Sequence, residues 1–540
     1  MHQFPFRYLA FLIVAFIFAL SLAIAALTHQ GWSLVLLSAG LTLVGIADLR
    51  QSKRALRRNY PILAHFRFFF ETIRPEIRQY FLEDDTDAKP FSRNQRSIVY
   101  QRAKVQTDKR PFGTQLDVYA PGYEWINHSM APAPVEDHDF RIDIGNHPDC
   151  PRKRPYSASV FNISAMSFGA LSANAIRSLN GGARIGGFMH DTGEGSISCH
   201  HRENGGDLVW EIGSGYFGCR NEDGSFSEAN FVANASGDQV KMIELKLSQG
   251  AKPGHGGVLP GAKVTPEIAA ARGVQVGEDC VSPATHSAFS TPLEMLHFID
   301  KLRNLSGGKP TGFKLAIGHP WEFFGIVKAM LASNITPDFI VVDGGEGGTG
   351  AAPVEFSDHV GTPLQEGLLL VHNSLVGANL RDKIKIGASG KIISAFDIAR
   401  TLALGADWCN SARGFMFALG CIQSQSCHTD RCPTGVATQD PLRMRALVVE
   451  DKTSRVANFH QNTLMALAQL IAAAGLSHPN QLRPHHLVRR VSPNQVKLAS
   501  KLLPYLDAGE LLDPEQLDRL PPVFGEFWPI AQAESFHPLR

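Results

Sequence analysis

The sequence has almost no excess of charge of either sign: 52 Lys and Arg stand against 51 Asp and Glu, a net charge of +1 over 540 residues. Long basic stripes are also absent from the body of the chain, so a nucleic acid is not expected as a partner. The eight cysteines lack the regular spacing of a secreted disulfide framework. We therefore expect thiols in a reducing compartment, available to a metal centre.

The sequence contains no internal repeat and no sign of disorder. Hydrophobic residues make up 44% of the chain and charged residues 19%, which is enough to bury one large core and smaller appendages. Glycine is abundant, at 49 residues, and the glycines gather after apolar runs. Because glycine allows a backbone to approach a ligand closely, the composition favours an enzyme.

The first fifty residues differ from the rest because they contain two long apolar runs. Residues 8–27 carry no charge, and a second run extends over residues 32–47. At about 1.5 Å per residue, the first run crosses a hydrocarbon core of roughly 30 Å and the second is marginally long enough. We predict a retained helical hairpin. A cleaved signal peptide ending near Ala23-Ile24-Ala25 and a buried helix pair are the alternatives.

A group of positive charges follows the second run and predicts the orientation of the hairpin. The group consists of Arg50, Lys53, Arg54, Arg57 and Arg58. Positive residues that flank a membrane span remain on its cytoplasmic side. The pattern therefore predicts a two-span anchor in the cell inner membrane, with the N-terminus and the catalytic body in the cytoplasm.

Short β-rich runs alternate with longer stretches of helical periodicity beyond residue 157. Eight candidate strands are found at residues 159–165, 187–191, 242–247, 279–282, 312–317, 338–342, 383–386 and 407–411. This alternation predicts an α/β fold, a (β/α)8 TIM barrel, with an open doubly wound sheet as the alternative. About fifty residues after the second strand, including Trp210, are interpreted as an insertion.

The predicted domain organisation follows from these patterns. Residues 1–50 form the transmembrane hairpin, and residues 51–150 form a juxtamembrane connector that packs on the barrel. Residues 151–440 form the barrel with its cysteine loop, and residues 441–540 form a C-terminal helical extension.

The most specific motif is C-x5-C-x4-C-P, which contains Cys421, Cys427 and Cys432. Thiolates are soft ligands for iron, and a proline after the last cysteine recurs in ferredoxin-type loops. Without a fourth cysteine nearby, three ligands favour a [3Fe-4S] cluster. A zinc site that uses His428 is the alternative, although the C-x2-C pairs of structural zinc sites are absent. The other cysteines are predicted to be buried small side chains: Cys150, Cys199, Cys219, Cys280 and Cys409.

Four separated stretches carry a family resemblance. They are A-M-S-F-G (165–169) with D-T-G-E-G (191–195), Q-G-A-K-P-G (249–254), D-G-G-E-G-G-T-G-A (343–351), and the cysteine loop with its continuation P-T-G-V-A-T-Q (433–439). On these stretches the chain resembles the FMN-binding glutamate synthase-like family. The resemblance covers roughly residues 160–440 and implies an FMN barrel with a [3Fe-4S] cluster beside the flavin.

The resemblance also implies roles for residues around the flavin ring. Ala165, Met166 and Ser167 resemble the strip beneath the isoalloxazine. Gln249 is expected at the flavin's polar edge, and Lys314 is expected to place a positive charge near N1 and C2=O. An ordinary strand-end residue is the alternative at each position.

A phosphate site is expected after the last two strands of such a barrel. Ser389 and Gly390 follow the seventh strand, and Arg413 and Gly414 follow the eighth, where helix starts offer N–H groups to an anion. Gly345 opens a G-x-G-x-x-G pattern (345–350) that also suggests nicotinamide binding. Because A-A-P follows the last glycine, no helix is predicted to start there, and we interpret the run as a barrel loop near the flavin.

The family's reaction combines 2-oxoglutarate and ammonia into 2-iminoglutarate, which reduced FMN converts to glutamate by hydride transfer. By position, Lys252 and Arg272 resemble the family's carboxylate-binding pair, a task that suits a point charge and a bidentate fork. Glu194 resembles the acidic residue that orients the imine nitrogen. Surface ion pairing is the alternative for the two cations.

Two positions depart from the family pattern. His255 stands where glutamate is common, and Val258 stands where a glutamine contacts the substrate. Because valine cannot form that hydrogen bond, the pocket favours a different or less polar partner. The family's glutaminase domain, with its N-terminal cysteine nucleophile, is also missing, since the first cysteine is Cys150. We therefore expect ammonia from outside this chain.

Three functions are compatible with the sequence. The first is reductive amination of 2-oxoglutarate, and the second is an FMN and iron-sulfur oxidoreductase acting on another small oxo- or amino-acid. The third is a non-catalytic membrane redox or assembly protein, which the presence of Glu194, Lys252 and Arg272 disfavours. The sequence does not specify the electron donor, whether a ferredoxin-like protein, an NAD(P)H reductase subunit or a membrane carrier.

Overall fold

The computed structural model describes residues 6–134, 138–148 and 151–539. The chain forms two compact units, Met1–Arg93 and Asn94–Arg540. The described part of the first unit is helical, and the strands belong to the second.

The first unit begins with two long apolar helices. Its helices are α1 (Leu9–Thr28), α2 (Trp32–Arg50), α3 (Ala55–Asn59) and α4 (Leu63–Ile77), and a π-helical turn over Arg78–Leu82 follows α4. The link between α1 and α2 is tight because His29 and Gly31 both adopt left-handed backbone, with φ of 56° and 83°. The prediction of two apolar helices is confirmed, and both are long and apolar enough to cross a membrane, by length and composition alone.

The second unit contains a closed barrel of eight parallel strands, which confirms the predicted TIM fold. Before it come α5 (Arg93–Ala103), β1 (Glu124–Ile126), β2 (Arg141–Ile144) and β3 (Tyr156–Ser159). The following strands are β4 (Phe161–Ile163), β5 (His190–Asp191), β6 (Leu208–Ile212), β7 (Val240–Lys246), β8 (Val258–Leu259), β9 (Cys280–Val281), β10 (Thr311–Leu315), β11 (Phe339–Asp343), β12 (Lys385–Ser389) and β13 (Trp408–Ser411). β8 and β9 pair with each other outside the barrel. β13 pairs with β4 and closes the ring.

One of the predicted barrel strands is wrong, and one strand of the barrel was not predicted. Residues 279–282 contribute only the short β9, antiparallel to β8, and Val281 is 57% exposed there. The third barrel strand is β6, whose five residues are all buried. β6 lies inside the stretch that the sequence analysis interpreted as an insertion. The strand was missed because the helix before it spans only four residues, which breaks the expected alternation of strands and helices.

Helices follow the barrel strands in the chain. They are α6 (Ala173–Gly186), α7 (Cys199–Arg202), α8 (Glu228–Ala235), α9 (Pro266–Arg272), α10 (Pro292–Leu305), α11 (Pro320–Ser333), α12 (Val354–His359), α13 (Leu364–Gly377), α14 (Ala395–Ala403), α15 (Arg413–Leu419), α16 (Pro441–Met444) and α17 (Val449–Ala473). The sequence sets several starts; Thr291, for example, caps α10 by accepting from the N–H of Glu294. α17 packs closely on α6, since a Cβ at Gly182 would lie 2.3 Å from Val456.

The C-terminal stretch contains more than helices. Beyond α17 lie β14 (Leu487–Ser492), β15 (Gln495–Leu498), α18 (Ala499–Leu502) and α19 (Pro522–Phe527). β14 pairs with both β15 and β1 in a three-stranded sheet. The sequence predicts helices here, and they are present, but it does not predict this sheet because β1 lies far away along the chain.

Candidate active site at the barrel mouth

The carboxyl ends of the barrel strands meet at one mouth, where the loops of a parallel barrel gather. The Oγ of Ser164, after β4, lies 3.3 Å from the Oγ of Ser389 at the end of β12. Gly344, after β11, donates its N–H to the Ser389 carbonyl at 2.7 Å. The predicted cofactor residues fall in the carboxyl-terminal parts of barrel strands, in the loops after them or, for Arg413 and Gly414, in the first turn of α15: Ala165, Met166, Ser167, Gln249, Lys314, Gly345, Ser389, Gly390, Arg413 and Gly414.

The corner beside the last strand suits an anion. α15 begins at Arg413 without a side-chain cap, and the first N–H groups of a helix attract negative charge. The Arg413 guanidinium donates to the Thr349 carbonyl at 2.8 Å and lies 4.0 Å from the Sγ of Cys427. Gly414 is required here because a Cβ would lie 2.5 Å from the Ser411 hydroxyl.

The glycine loop at residues 344–350 leaves open space beside its backbone. A Cβ added at Gly350 would meet nothing within 4 Å, and one at Gly348 would meet only Arg413, at 3.7 Å. The next helix, α12, begins at Val354. The prediction that no helix starts at the last glycine is therefore confirmed, and the loop faces space that a ligand can fill.

Glu194 and Lys246 form an ion pair in a small cavity of about 30 Å³ within the mouth. Their Oε2 and Nζ atoms are 3.1 Å apart, and Lys246 also donates to the Oε1 of Gln249 at 3.0 Å. Burial raises the pKa of Glu194. The positive charges of Lys246, Arg272 and Lys252 lower it by more, so the pKa lies below its ordinary value. Glu194 is thus an ionised group that only accepts hydrogen bonds.

Lys252 lines the same cavity and is only 7% exposed. Its Nζ lies 3.5 Å from the Gly256 carbonyl. Burial lowers the pKa of Lys252, although Glu194 acts in the opposite direction. Burial excludes surface ion pairing, and two lysines beside one cavity can hold a carboxylate.

Arg272 is also buried, but it does not line this cavity. Its Nη2 donates to the Phe168 carbonyl at 3.1 Å, and its Nη1 lies 3.5 Å from the Sγ of Cys280. The guanidinium carbon lies 5.2 Å from the ring centroid of Phe217. The structure therefore places Lys252 in the cavity and holds Arg272 against the loop after β4.

Three further side chains at this site were not identified from the sequence. They are Lys246, Ser282, whose Oγ lies 3.5 Å from Glu194, and His286, whose Nε2 donates to the Lys246 carbonyl at 2.8 Å. Burial lowers the pKa of His286 to about 4, so its ring is neutral at physiological pH. Lys246 could have been identified as a charged residue at the end of an apolar strand. No local pattern in the sequence marks Ser282 or His286.

Lys314 lies inside the barrel among three buried carboxylates. Its ammonium contacts Glu211 and lies 3.5 Å from Glu244. Carboxylate oxygens of Asp191, Glu211 and Glu244 all lie within 4.8 Å of one another. Burial, followed by repulsion from Asp191, raises the pKa of Glu244 well above its ordinary value. Glu244 therefore binds a proton more readily than an ordinary carboxyl group, and Lys314 contacts both Glu211 and Glu244.

The three cysteines of the motif lie in one loop after α15. Cys421 and Cys432 are buried, and Cys427 is partly exposed. Burial raises the pKa of Cys421 to about 11. At Cys432 burial is outweighed by hydrogen bonds from backbone N–H groups and the Thr434 hydroxyl, which lower its pKa. Of the described residues, two groups of side chains have ligand atoms that all lie within 4.8 Å of one another, and neither contains these three cysteines.

The cysteine loop is bound to the loop after β4. The side-chain amide of Gln439 donates to the carbonyls of Gly169 and Leu171 at 3.0 and 2.9 Å. The Ser172 hydroxyl donates to the Gly435 carbonyl at 2.7 Å. The structure thus joins the continuation of the cysteine loop to the loop after β4 at residues 169–172.

The remaining cysteines follow the prediction with one exception. Cys219, Cys280 and Cys409 are buried, whereas Cys199 is exposed because it begins the short surface helix α7. Cys150 lies outside the described residues.

Of the two departures from the family pattern, His255 lines the cavity and Val258 lies just beyond its lining residue Gly257. His255 is exposed and has its ring centroid 5.5 Å from that of Phe356. Val258 is 48% exposed and pairs with Val281 across β8 and β9.

A larger cavity of about 370 Å³ lies at the opposite end of the barrel. Its lining includes Asp338 and Lys385, which stand where β11 and β12 begin. None of the predicted site residues lines it.

Comparison with known proteins places the chain in a family. The family model described as a conserved region in glutamate synthase matches residues 140–477. The glutamate synthase large subunit-like protein YerD of Bacillus subtilis (strain 168) is 39% identical over 484 residues, which cover 82% of this chain and 91% of that protein. The archaeal-type glutamate synthase [NADPH] of Thermotoga neapolitana is 34% identical, covering 64% of this chain and 65% of that protein.

Solved structures are less similar. A mandelate oxidase with benzoylformic acid aligns with 69% of this chain and 86% of its own, at 14% identity and a TM-score of 0.39. That likeness is too weak to bear on function. The match of the family model over more than half of the chain, together with the relative from Bacillus subtilis, is decisive. The chain belongs to the glutamate synthase-like family of oxidoreductases.

Proposed function

We propose that this chain uses FMN and a [3Fe-4S] cluster to convert 2-oxoglutarate and ammonia to glutamate by way of 2-iminoglutarate. The observation that carries the proposal is the pairing of Glu194 with Lys246, with Lys252 lining the same cavity. This arrangement offers one fixed acceptor and two cations to a small dicarboxylate. When bound, the flavin supplies hydride, and the cluster passes electrons to it one at a time.

The residues at the mouth fit FMN. The uncapped start of α15, with Arg413 at its first position, suits the phosphate. The open backbone at Gly348 and Gly350 allows a flat ring to approach. Gln249 is fixed by Lys246, so its amide N–H2 can donate to the ring's polar edge.

The cysteine loop fits an iron cluster better than a zinc ion. The three thiols are set more widely than the ligands of a single ion, and His428, the alternative fourth zinc ligand, is exposed. The N–H donors at Cys432 stabilise a thiolate. The bond from Gln439 to the loop after β4 keeps this loop beside the proposed flavin site.

In the proposed complex, three side chains contact the substrate and a fourth positions a loop. Lys252 and Lys246 hold carboxylate oxygens, and the ionised Glu194 accepts a hydrogen bond from the imine nitrogen and so orients it. Arg272 acts through the Phe168 carbonyl, which it holds in place. We assign it a positioning role.

A second candidate is an oxidoreductase of the same cofactors acting on another small oxo- or amino-acid. The observation that favours it is Val258, which presents an apolar side chain next to the cavity where the family pattern has a polar one. A substrate with a less polar end fits this position better than 2-oxoglutarate does.

The test measures the cofactors first and the substrate second. We expect the purified protein to contain flavin, iron and acid-labile sulfide, and Cys427→Ser to lose iron while the matched Cys409→Ser keeps it. After anaerobic reduction, we expect 2-oxoglutarate with ammonium to reoxidise the flavin. Reoxidation only by other oxo-acids selects the second candidate. A flavin that no oxo-acid reoxidises contradicts both and leaves a non-catalytic redox protein.

We also propose that α1 and α2 cross the inner membrane with both ends of the hairpin in the cytoplasm. The proposal is supported by their length and composition and by the positive charges from Arg50 to Arg58. Reporter fusions after residues 30 and 60 should lie on opposite sides of the membrane. Fusions that report the same side contradict the two-span topology.

A further inference from the structure

Helix α4 has one continuous apolar face that its own unit leaves uncovered. The face repeats at helical spacing and consists of Leu63, Phe66, Phe69, Phe70, Ile73 and Ile77. Phe66, Phe69 and Phe70 are 61%, 56% and 58% exposed. Three rings exposed side by side are unusual for a protein surface in water.

The apolar face continues beyond the end of the helix. In the π-helical turn that follows, Tyr80, Phe81 and Leu82 are 54%, 82% and 74% exposed. Tyrosine is enriched at the boundary between lipid headgroups and hydrocarbon, because its ring is apolar and its hydroxyl is polar, and Phe and Leu form the apolar face of interfacial helices. The exposed surface therefore has the composition of an interfacial segment.

Positive charge lies on the stripe next to this apolar face. Arg67, Arg74 and Arg78 recur at spacings of seven and four residues and are exposed. On another side of α4, Arg54 and Arg57 lie over the ring of Phe68, at 4.6 and 5.1 Å from its centroid. Arginines beside an apolar face are suited to the phosphates of anionic lipids.

Two contacts fix the start of α4 at the end of α2. The Asp48 carboxylate, near the last turn of α2, accepts the N–H of Ile62 at 3.1 Å. The same carboxylate lies 2.9 Å from the Nε2 of His65 in the first turn of α4. Asp48 is 3% exposed, so its carboxylate is buried between the two helices, whereas the His65 side chain is 40% exposed. The point where the apolar helix α2 ends is thus also the point where the aromatic face begins.

We propose that α4 and the turn after it lie in the plane of a membrane interface, with the aromatic face in an anionic bilayer. The arginine stripe contacts lipid phosphates, and the rings enter the region just below them. This inference concerns a lipid-binding surface and does not depend on the reaction at the barrel mouth.

The test uses the full chain reconstituted in vesicles of phosphatidylcholine with phosphatidylglycerol, in which the phosphatidylcholine carries brominated acyl chains. Phe70→Trp places a reporter on the apolar face, and Thr72→Trp is the matched control on the opposite, exposed side of the same helix. After subtraction of wild-type emission, we expect about twofold quenching of the Phe70→Trp signal and little change in the control. Equal quenching of the two reporters overturns the proposal.

Two further measurements test the anionic lipid and distinguish a bilayer from a second copy of the chain. In vesicles of phosphatidylcholine alone, quenching should weaken; quenching that does not change overturns the anionic part of the proposal. Phe70→Trp emission that shifts to the blue with rising protein concentration, without bromine quenching, identifies a second copy of the chain as the partner and overturns the lipid assignment. Reporter fusions test the two-span topology separately, so a failure of one result is distinguishable from a failure of the other.

Discussion

Lys246 and Glu194 come from two different strand ends of the barrel, and their charged atoms meet at 3.1 Å. Lys246 is the last residue of β7, and Glu194 lies three residues after the end of β5. Their side chains are only 9% and 19% exposed. Because Glu194 neutralises one of the two lysines that line the cavity, Lys246 and Lys252 together leave about one uncompensated positive charge there.

Replacement of Lys246 by methionine should destabilise the protein by about 2–3 kcal/mol at pH 7, since it leaves a buried carboxylate with less compensation. The pKa of Glu194 lies below its ordinary value in the wild type, so this carboxylate stabilises the fold above its unfolded pKa and loses that effect as pH falls through the folded pKa. In the variant that pKa rises. Unfolding by denaturant at pH 7 and pH 4 measures the difference.

The control for that prediction is Lys241→Met. Lys241 is the second residue of the same strand but pairs with Asp207 at 3.7 Å, and both side chains are at least 25% exposed. We expect a loss within about 0.5 kcal/mol. If Lys246→Met and Lys241→Met lose the same free energy of unfolding, burial of the ion pair between Glu194 and Lys246 does not add to stability.

Gly195→Ala should lower stability, whereas Gly350→Ala should leave stability unchanged and lower flavin content. A Cβ at Gly195 would lie 2.8 Å from the Cβ of Ser167 and 3.1 Å from the Nη2 of Arg272, so we expect a loss of about 1–3 kcal/mol. A Cβ at Gly350 would meet nothing within 4 Å, so stability should be unchanged. If the glycine loop contacts the flavin, Gly350→Ala should lower flavin content at equal protein. Unchanged content refutes that contact.

Arg272→Ala should act on stability before it acts on substrate binding. The variant leaves the buried Phe168 carbonyl without its donor, at a cost of about 1–3 kcal/mol. If Arg272 positions the loop, kcat should fall with little change in KM. A large rise in KM with unchanged stability would instead make it a direct carboxylate ligand. Steady-state kinetics and thermal unfolding of the same preparation decide between the two.

Val258→Gln should leave stability within about 0.5 kcal/mol, because the side chain is 48% exposed. It restores a polar group next to the cavity. Reoxidation of reduced flavin by 2-oxoglutarate with ammonium should therefore become faster, on the order of tenfold for one hydrogen bond. A decrease, or faster reoxidation by a less polar oxo-acid in the wild type, favours the second candidate function.

Lys309 should make stability depend on alkaline pH. It is 1% exposed and donates to the carbonyls of Ala235 and Gly237, and burial lowers its pKa to about 8. Between that value and the unfolded pKa, the unfolded chain binds a proton that the folded chain does not, so stability rises with pH. Relative to Lys309→Met, the wild type should gain on the order of 1–3 kcal/mol across this window. If the difference in stability between the wild type and Lys309→Met does not change with pH, the lowered pKa of Lys309 is contradicted.

The barrel could be predicted because strand and helix periodicities alternate along the chain, and because family motifs mark the loops at its mouth. The prediction failed locally where a four-residue helix separates β5 from β6, since so short a helix leaves no periodic signal. A β-rich stretch at residues 279–282 then took the place of the missing strand. Pairing of β14 with β1 was not predictable from either segment alone, because it depends on contacts between distant parts of the chain.

The site was predictable to the extent that each residue lies in a motif. Glu194 and Lys252 follow different strands and line one cavity, and Gln439 bonds the cysteine loop to the loop after β4. Lys246 lies outside the motifs and inside a strand. The buried acids around Lys314 come from three separate strands, so their mutual effect on pKa depends on the fold.

The bond between Gln439 and the carbonyls of Gly169 and Leu171 has a consequence for protein synthesis. A ribosome makes the loop after β4 early and Gln439 almost 270 residues later. The nascent chain therefore carries an unfinished first loop, without the neighbouring strand β13, until most of the barrel has emerged. A stalled or truncated chain that ends before residue 439 exposes that loop, and chaperones that bind nascent chains should capture such fragments more than the complete protein.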